Sequence, residues 1–414
     1  MKKIFIIFLV FFLSSTKVLL AQNDTTNNNL PNIYIDCNDC DMEYIKKHVD
    51  FVNYVRERRV ADLHIIVTNS ETGSGGDKIT LLFYGQNKFA GRNDTLCFSI
   101  KPSTSDELIK EKFIKILKLG IIKYLTNTSI IDNVSVNVKP NDKNKITETK
   151  DQWNYWVFNT AIYGWYNGES SYKNFNFYDH ISAKKITDKF KLELYVGNSY
   201  NESHYIYNGN DIIGKTNNYW FSNKTVFSIN NHWSSGFSTA LTSSTYSNFL
   251  ISTNIMPAVE YDVFPYSEST IKQFRIMYRI GPVYNSYIDT TVFNKTKELL
   301  FRNDLLIGYA TNKKWGTIEF KLVGGTYLHD ISLNRVSVST DISINILKGL
   351  SINISGQLSF IHDQISLSKA ETSLENVLIR TQQLPTTFNY YSNVGLSYTF
   401  GSIYNNIVNP RFDD

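Results

Sequence analysis

Two cysteines, Cys37 and Cys40, form a C-x-x-C in "DCNDCD" between an expected strand and the start of an expected helix. A helix N-terminus favours a thiolate, so this is where a redox dithiol would sit. Asp36, Asp39 and Asp41 crowd the pair with negative charge, which works against the thiolate, and the strand order that follows is not that of thioredoxin. A metal site would need a second ligand pair nearby, and there is none. The pair therefore reads as a structural disulfide. Cys97, in "TLCFSI", reads as a buried core thiol.

The pairs His329-Asp330 and His362-Asp363 lie near the ends of expected strands, with Ser332 and Ser366 close in sequence. A serine, a histidine and an acid could assemble there into a hydrolytic site at a rim. These residue types are common in loops, and chance pairing explains the pattern, so no catalytic residue and no cofactor is assigned. The stretch "TGSGGDK" lacks the Gly-Lys-Ser/Thr ending of a phosphate-binding loop and joins two strands. It reads as a hairpin tip.

A third set of residues is charged and periodic. Glu260, Asp262, Arg275, Arg279, Glu319, Lys321 and Asp341 all fall on the polar phase of alternating segments. In "FRIMYRI", Phe274, Ile276, Tyr278 and Ile280 take one face while Arg275 and Arg279 take the other. Such a row could line a solute-selecting constriction or fill an ion-paired interior. Side chains fill a barrel of ~8 strands and ~16 strands leave a channel. The reading here leans to the filled interior.

The elements that must position these residues divide the chain. "MKKIFIIFLVFFLSSTKVLLAQ" has a basic start, an apolar run and a small-residue cut after Ala21, so residues 1–21 read as a secretory signal. Residues 22–31 form a polar leader. Residues 32–126 read as a small α+β domain in the order β-α-β-β-β-α. Its strands are Asn32–Ile35, Asp62–Thr68, Lys78–Gln86 and Asp94–Ile100, its first helix is Asp41–Val55, and a capping box at Thr104 and Glu107 opens its second, which ends near Leu125. Residues 127–152 read as a linker.

From 153 to 402 the texture changes to about twelve alternating segments, beginning near Trp153, Phe175, Lys189, Asn218, Trp233, Phe249, Ile271, Leu300, Trp315, Val336, Leu350 and Phe388. The expected fold is a membrane all-β one, a twelve-stranded antiparallel transmembrane barrel after the α+β domain, with a tail over 403–414. The composition agrees: 42% hydrophobic and 14% aromatic, with negative mean hydropathy, is too dilute for a helical membrane bundle. A net charge of +4 makes no electrostatic case for nucleic acid. Short connections at Thr187–Lys189, Asn230–His232, Phe264–Ser269, Asn312–Lys314 and Lys348–Gly349 are expected to alternate with long ones at Tyr200–Thr216, Tyr287–Glu298 and Ser366–Thr387.

On "DCNDCDMEYIKKHVDFVNYVRERRVADLHIIVTNSETGSGG", "GQNKFAGRNDTL", "PAVEYDVFPYSEST", "IHDQISL" and "VGLSYTFGSIYNNIVNPRF", the chain resembles a family of outer-membrane β-barrel proteins of Gram-negative bacteria that carry a small periplasmic α+β domain before the barrel. The resemblance implies location and architecture and supplies no catalytic set. It implies contact with outer-membrane lipid, and the closing strand, ending in Tyr398 and Phe400, looks like the one that barrel-assembly machinery recognises. Three functions follow as expectations: a structural, assembly or narrow-pore barrel whose domain docks a periplasmic partner or the barrel mouth; a solute porin gated by that domain; or a rim hydrolase.

Overall fold

A computed structural model of the chain describes residues 30–401 apart from 38, 74, 127–130, 132–133, 136–152, 208, 348 and 371–380. The expected signal, the tail and most of the expected linker therefore lie outside the described residues. Two sheets organise what is described. One has five strands in the order β2-β1-β3-β4-β5, and the other has twelve in unbroken sequence order from β6 to β17.

The smaller sheet comprises β1 (Asn32–Asp36), β2 (Asn53–Tyr54), β3 (Leu63–Glu71), β4 (Asp77–Gly85) and β5 (Asn93–Ile100), with helices α1 (Met42–His48) and α2 (Asp106–Leu125). Its core sits between the sheet and α2. Leu63, Ile65, Leu81 and Phe83 from the strands meet Leu117 and Ile121 from the helix, all essentially sealed from solvent. Gly120 lets the two layers close, because a Cβ there would enter the Phe83 ring.

Three expectations for this domain need correction. The first helix stops at His48, well short of Val55, because β-branched valines and Asp50 follow and the chain can pair instead. Asn53 and Tyr54 add β2 parallel to β1, giving the order β-α-β-β-β-β-α, and the Tyr54 hydroxyl donates to the Val49 carbonyl at 2.8 Å. The capping box does not form: α2 starts after Ser105, and Thr104 Oγ1 instead accepts from the Lys101 amide at 3.0 Å. Cys97 is exposed, since Leu96, Phe98 and Ile100 take the inner phase of β5 and leave it on the outer one.

The larger sheet begins with β6 (Trp156–Gly168), β7 (Tyr172–Ile186), β8 (Phe190–Tyr207), β9 (Asn210–Ser228), β10 (Trp233–Ser244) and β11 (Phe249–Asp262). It continues with β12 (Lys272–Tyr287), β13 (Lys297–Lys313), β14 (Gly316–Tyr327), β15 (Asp330–Leu347), β16 (Leu350–Ile361) and β17 (Phe388–Tyr398). Each of the twelve expected segments corresponds to one of these strands, and every neighbouring pair is antiparallel. The alternation sorts as expected. Ile276, Tyr278 and Ile280 stand exposed on the outside of β12, while Arg275 and Arg279 point to the less exposed side. No described helix is long and apolar enough to cross a membrane, which says nothing of strands.

Loop lengths depart from expectation. Tyr200–Thr216 is no loop: the ladder continues through Asn201↔Thr216 to Tyr207↔Asn210, making a tall hairpin. The connections β10–β11 and β14–β15 are also short; the expected long connection at Tyr287–Glu298 is present as residues 288–296, but 263–271, expected to be short, is just as long, and the widest gap between strands runs from Ile361 to Phe388. The alternation of polar and apolar residues simply runs on past the expected strand ends, and backbone that can pair does so. At the two ends of the ladder, no pairing joins β6 to β17 among the described residues, so the wall carries a seam.

Apolar side chains in an outward row that no second layer covers belong in hydrocarbon. Ile255, midway along β11, is 54% exposed and faces outward, whereas its neighbour Asn254 faces inward. Ile255→Arg should lower folding stability in lipid vesicles by about 2–4 kcal/mol, and Asn254→Arg by much less. Denaturant titration of vesicle-inserted protein measures both; equal losses would place both faces in one medium.

Candidate functional site: an ion-paired interior under two covers

Charges that the sequence placed on one phase meet across the strands. Arg279 lies directly opposite Asp304, and its Nε donates to Asp304 Oδ2 at 2.8 Å. Asp304 Oδ1 accepts from Arg302 Nε at 2.9 Å, and Arg302 Nη1 donates to Asp363 Oδ2 at 2.9 Å. Asp363 Oδ1 then accepts from Arg335 Nε at 2.9 Å. Both aspartates are nearly sealed from solvent, and the Arg302 guanidinium also lies over the Tyr327 ring at 5.2 Å. A second group on β8 and β9 joins Glu193 to Lys224 at 3.0 Å and to Lys191 at 3.2 Å. Between them lies a cavity of about 510 Å³.

Of the expected interior charges, only Arg279 belongs to this ladder. Arg275 packs its stem and Nε over Gly308, where a Cβ would come within 3.1 Å of it. Asp262, 1% exposed, organises the 263–271 turn: its Oδ1 accepts from the amides of Phe274 at 3.2 Å and Phe264 at 3.3 Å. Glu260 accepts from the Tyr266 hydroxyl at 3.3 Å. Lys321 makes no ion pair among the described residues, and Glu319 and Asp341 face each other across β14 and β15. Asp304, Arg302, Arg335, Glu193 and Lys224 were missed. Arg302 and Asp304 do share a strand phase in "FRNDLL", a signal that alternation alone could have given.

The rim residues do not assemble as a hydrolase would need. Asp363 is held by its two arginines, Ser332 Oγ donates to Asp330 at 2.6 Å, and His362 Nδ1 faces Asn334 Oδ1 at 3.4 Å. No hydrogen bond joins either histidine to Ser332 or Ser366 among the described residues.

The stretch 362–370, just after β16, runs over one end of the interior. From β16 it reaches the turn after β10, where Asn248 Nδ2 donates to the Ser366 carbonyl at 2.9 Å, and the loop after β12, where the Lys369 amide donates to Thr290 at 2.9 Å. These anchor points are about half the wall away. Beneath them, Ile365 packs with Leu300 and Tyr327.

The α+β domain covers the other end. The face of its sheet turned away from α2 carries His64, Ile66, Thr68, Thr80 and Leu82, all buried. Arg58 donates from Nη1 to the Lys314 carbonyl and from Nη2 to that of Asn345 at 2.7 Å, while Glu57 Oε2 accepts from the Gly349 amide at 2.9 Å. On the other side, Lys184 of β7 donates to Glu71 at 2.6 Å, and Gly73 lies so close to Ile186 that a Cβ would collide. The Lys314 ammonium sits 4.5 Å from the centre of the Tyr84 ring, and its burial there pushes its pKa down. Behind the contact, burial, with Asp36 adding, pushes the Tyr34 hydroxyl up to about 12. His64 Nε2 lies 3.4 Å from Asp36 Oδ2 without the alignment of a hydrogen bond.

Cys37 and Cys40 are joined by a disulfide. It lies on the wall of a cavity of about 940 Å³ between the domain and the 263–271 turn with strands β13 to β15. Hydrogen bonding from Lys110, and then from the Tyr44 amide, holds the Asp41 carboxyl there below the usual carboxylate range. No set of three or more potential metal ligands converges among the described residues.

No protein-family model matches this chain, and no curated protein matches it. A solved structure described as "NanC porin structure in rhombohedral crystal form" is similar to it at 11% identity and a TM-score of 0.29, covering 58% of this chain and 99% of that one.

The ladder predicts strong coupling. Asp304→Asn and Arg279→Gln should each destabilise the barrel, and the double variant should lose less than the sum, with an interaction energy of about 0.5–3 kcal/mol. Guanidinium unfolding of the four species in lipid measures it. Strict additivity would mean that the pair is not energetically linked.

Proposed function

We propose that this is an outer-membrane β-barrel protein whose N-terminal domain sits on the periplasmic side and stoppers its own barrel, a narrow-pore or structural component rather than an open general porin. The observation that carries the reading is the domain's hold on the barrel. Arg58 and Glu57 bond to backbone groups of two separate inter-strand turns, and Glu71 pairs with β7 on another part of the wall. Bonds to carbonyl and amide groups are indifferent to side-chain identity and depend on turn geometry, so they fix a position over the mouth. The interior behind the stopper is crossed by ion pairs, and the far end lies under the 362–370 stretch.

A gated solute porin is the second reading, and one observation favours it. The domain's contacts with the wall include few ion pairs, and the Glu71 carboxylate at its margin is 56% exposed, in the regime where such a pair contributes at most about 1 kcal/mol. A stopper held in this way can be released.

Planar-bilayer recording separates the two. The wild-type chain is expected to give rare, small openings, and Glu57→Ala with Arg58→Ala to raise the open fraction at least several-fold. A stable ohmic current from the wild type that Arg279→Ala alters in ion selectivity would instead establish the gated porin. No current from any variant would leave the structural role.

A further inference from the structure

We propose that the chamber between the domain and the barrel is a binding site for a small organic cation carrying more than one ammonium group. The proposal goes beyond the stopper reading: it concerns what the chamber holds, whether or not the interior conducts.

The chamber, of about 940 Å³, is lined by Asp39, Asp41 and Asp106 from the domain and by Glu319 and Asp341 from the barrel. Among the described residues Lys110 is the only cationic one on its wall, and its Nζ is already engaged 2.5 Å from Asp41 Oδ2. With Asp41 paired to Lys110, two carboxylates remain on each side, Asp39 and Asp106 on the domain and Glu319 and Asp341 on the barrel. Glu319 and Asp341 stand directly opposite each other in neighbouring antiparallel strands, and neither has a cation within salt-bridge distance among the described residues. Like charges placed so destabilise a strand pair. Elsewhere on the same sheet the corresponding position is used for attraction, as with Arg279 opposite Asp304.

An independent observation lies on the domain wall. Thr68 is only 8% exposed and lines the chamber, yet its Oγ1 has no hydrogen-bond partner. A buried hydroxyl without a partner costs about 1–3 kcal/mol, so the site is chemically complete only when something polar meets it. Thr68 is on the face of β3 turned away from the helical core, with the opposed carboxylates across the space.

The same features select the ligand class. A metal ion would need three or more oxygen ligands converging on a point, and no such group exists among the described residues. Carboxylates on separate walls of a chamber this large suit a solute long enough to reach both. An ammonium donates up to three hydrogen bonds, to carboxylates and to hydroxyl oxygens alike. The volume is at the upper end of the ~300–1,000 Å³ typical of small-molecule sites, too small for a folded partner.

The test uses the full chain in detergent, with spermidine as probe, calcium chloride and 1,8-octanediol as comparisons, and calorimetry with thermal denaturation as readouts. Spermidine is expected to bind at one site and raise the melting temperature. Glu319→Gln with Asp341→Asn should weaken that binding at least about tenfold, and should raise the melting temperature of the ligand-free protein by removing the repulsion. Lys321→Gln, a neighbouring charge off the chamber wall, should leave binding unchanged. The diol, of similar length and uncharged, should not bind, which tests the wild type alone should the double variant fail to fold. The proposal is overturned by equal affinity in the double variant, by equal binding of the diol, by stabilisation with calcium and none with spermidine, or by no spermidine binding at millimolar concentration. None of these outcomes depends on conductance.

Discussion

An amide or carbonyl in hydrocarbon has no water to turn to, and each one left unpaired costs several kcal/mol. That constraint explains why twelve strands run in unbroken antiparallel order from Trp156 to Tyr398, and why the pairing continues wherever the sequence permits, as in the tall β8–β9 hairpin. It also singles out the two ladder ends. With an even number of strands, β6 runs away from the domain and β17 returns towards it, so they are antiparallel and of similar length, 13 and 11 residues. Their side chains are the most exposed of the sheet on both faces. Hydrocarbon leaves these two edges no partner but each other, and no pairing joins them across the seam among the described residues.

Inside the wall the accounting changes sign. A carboxylate such as Asp304, 5% exposed, is stable there only because two guanidiniums reach it, and Asp363 repeats the arrangement with Arg302 shared between them. Sharing matters. An arginine already fixed by one carboxylate gives up little further freedom in meeting a second, so the network is more favourable than separate pairs. Glu319 and Asp341 stand outside this economy of paired charge, and they do so where the interior opens towards the domain.

The strands of the barrel were legible because period-2 alternation is a local signal repeated twelve times, and a polar or apolar choice at each position repeats the same message. Arg275 and Arg279 share the less exposed phase of β12 for that reason. What the alternation could not say was which partner each charge would find. Asp262 shares the inner phase with Arg279, yet it ends up serving backbone amides of a turn, because its position at the strand end decides its role. The first helix was overextended because Ile45, Val49 and Val52 keep a helical spacing, while the competing option, pairing of Asn53 and Tyr54 with β1, depends on a strand distant in sequence. Cys97 was misplaced for the opposite reason. Its neighbours Leu96 and Phe98 made a continuous apolar run whose phase only the α2 contact resolves. The domain's seat on the barrel was not legible at all, since Arg58 recognises carbonyls, and carbonyls leave no mark in a sequence.

That seat links the domain to the seam. Gly75 approaches Val157 at the start of β6, and Arg56 Nη1 donates at 3.2 Å to the carbonyl of Phe400, just past the end of β17. A single folded unit, with its own sealed core, thus touches both unpaired edges at the same end of the barrel. Moving the domain away must release both, and spreading the edges must break at least one of the domain's contacts. The two displacements are therefore one thermodynamic quantity seen from two places, since a coupling free energy acts equally in both directions. A domain that stays seated favours a closed wall, and a closed wall presents the turns at Lys314 and Gly349 and the end of β15 at Asn345 at the spacing that Glu57 and Arg58 require.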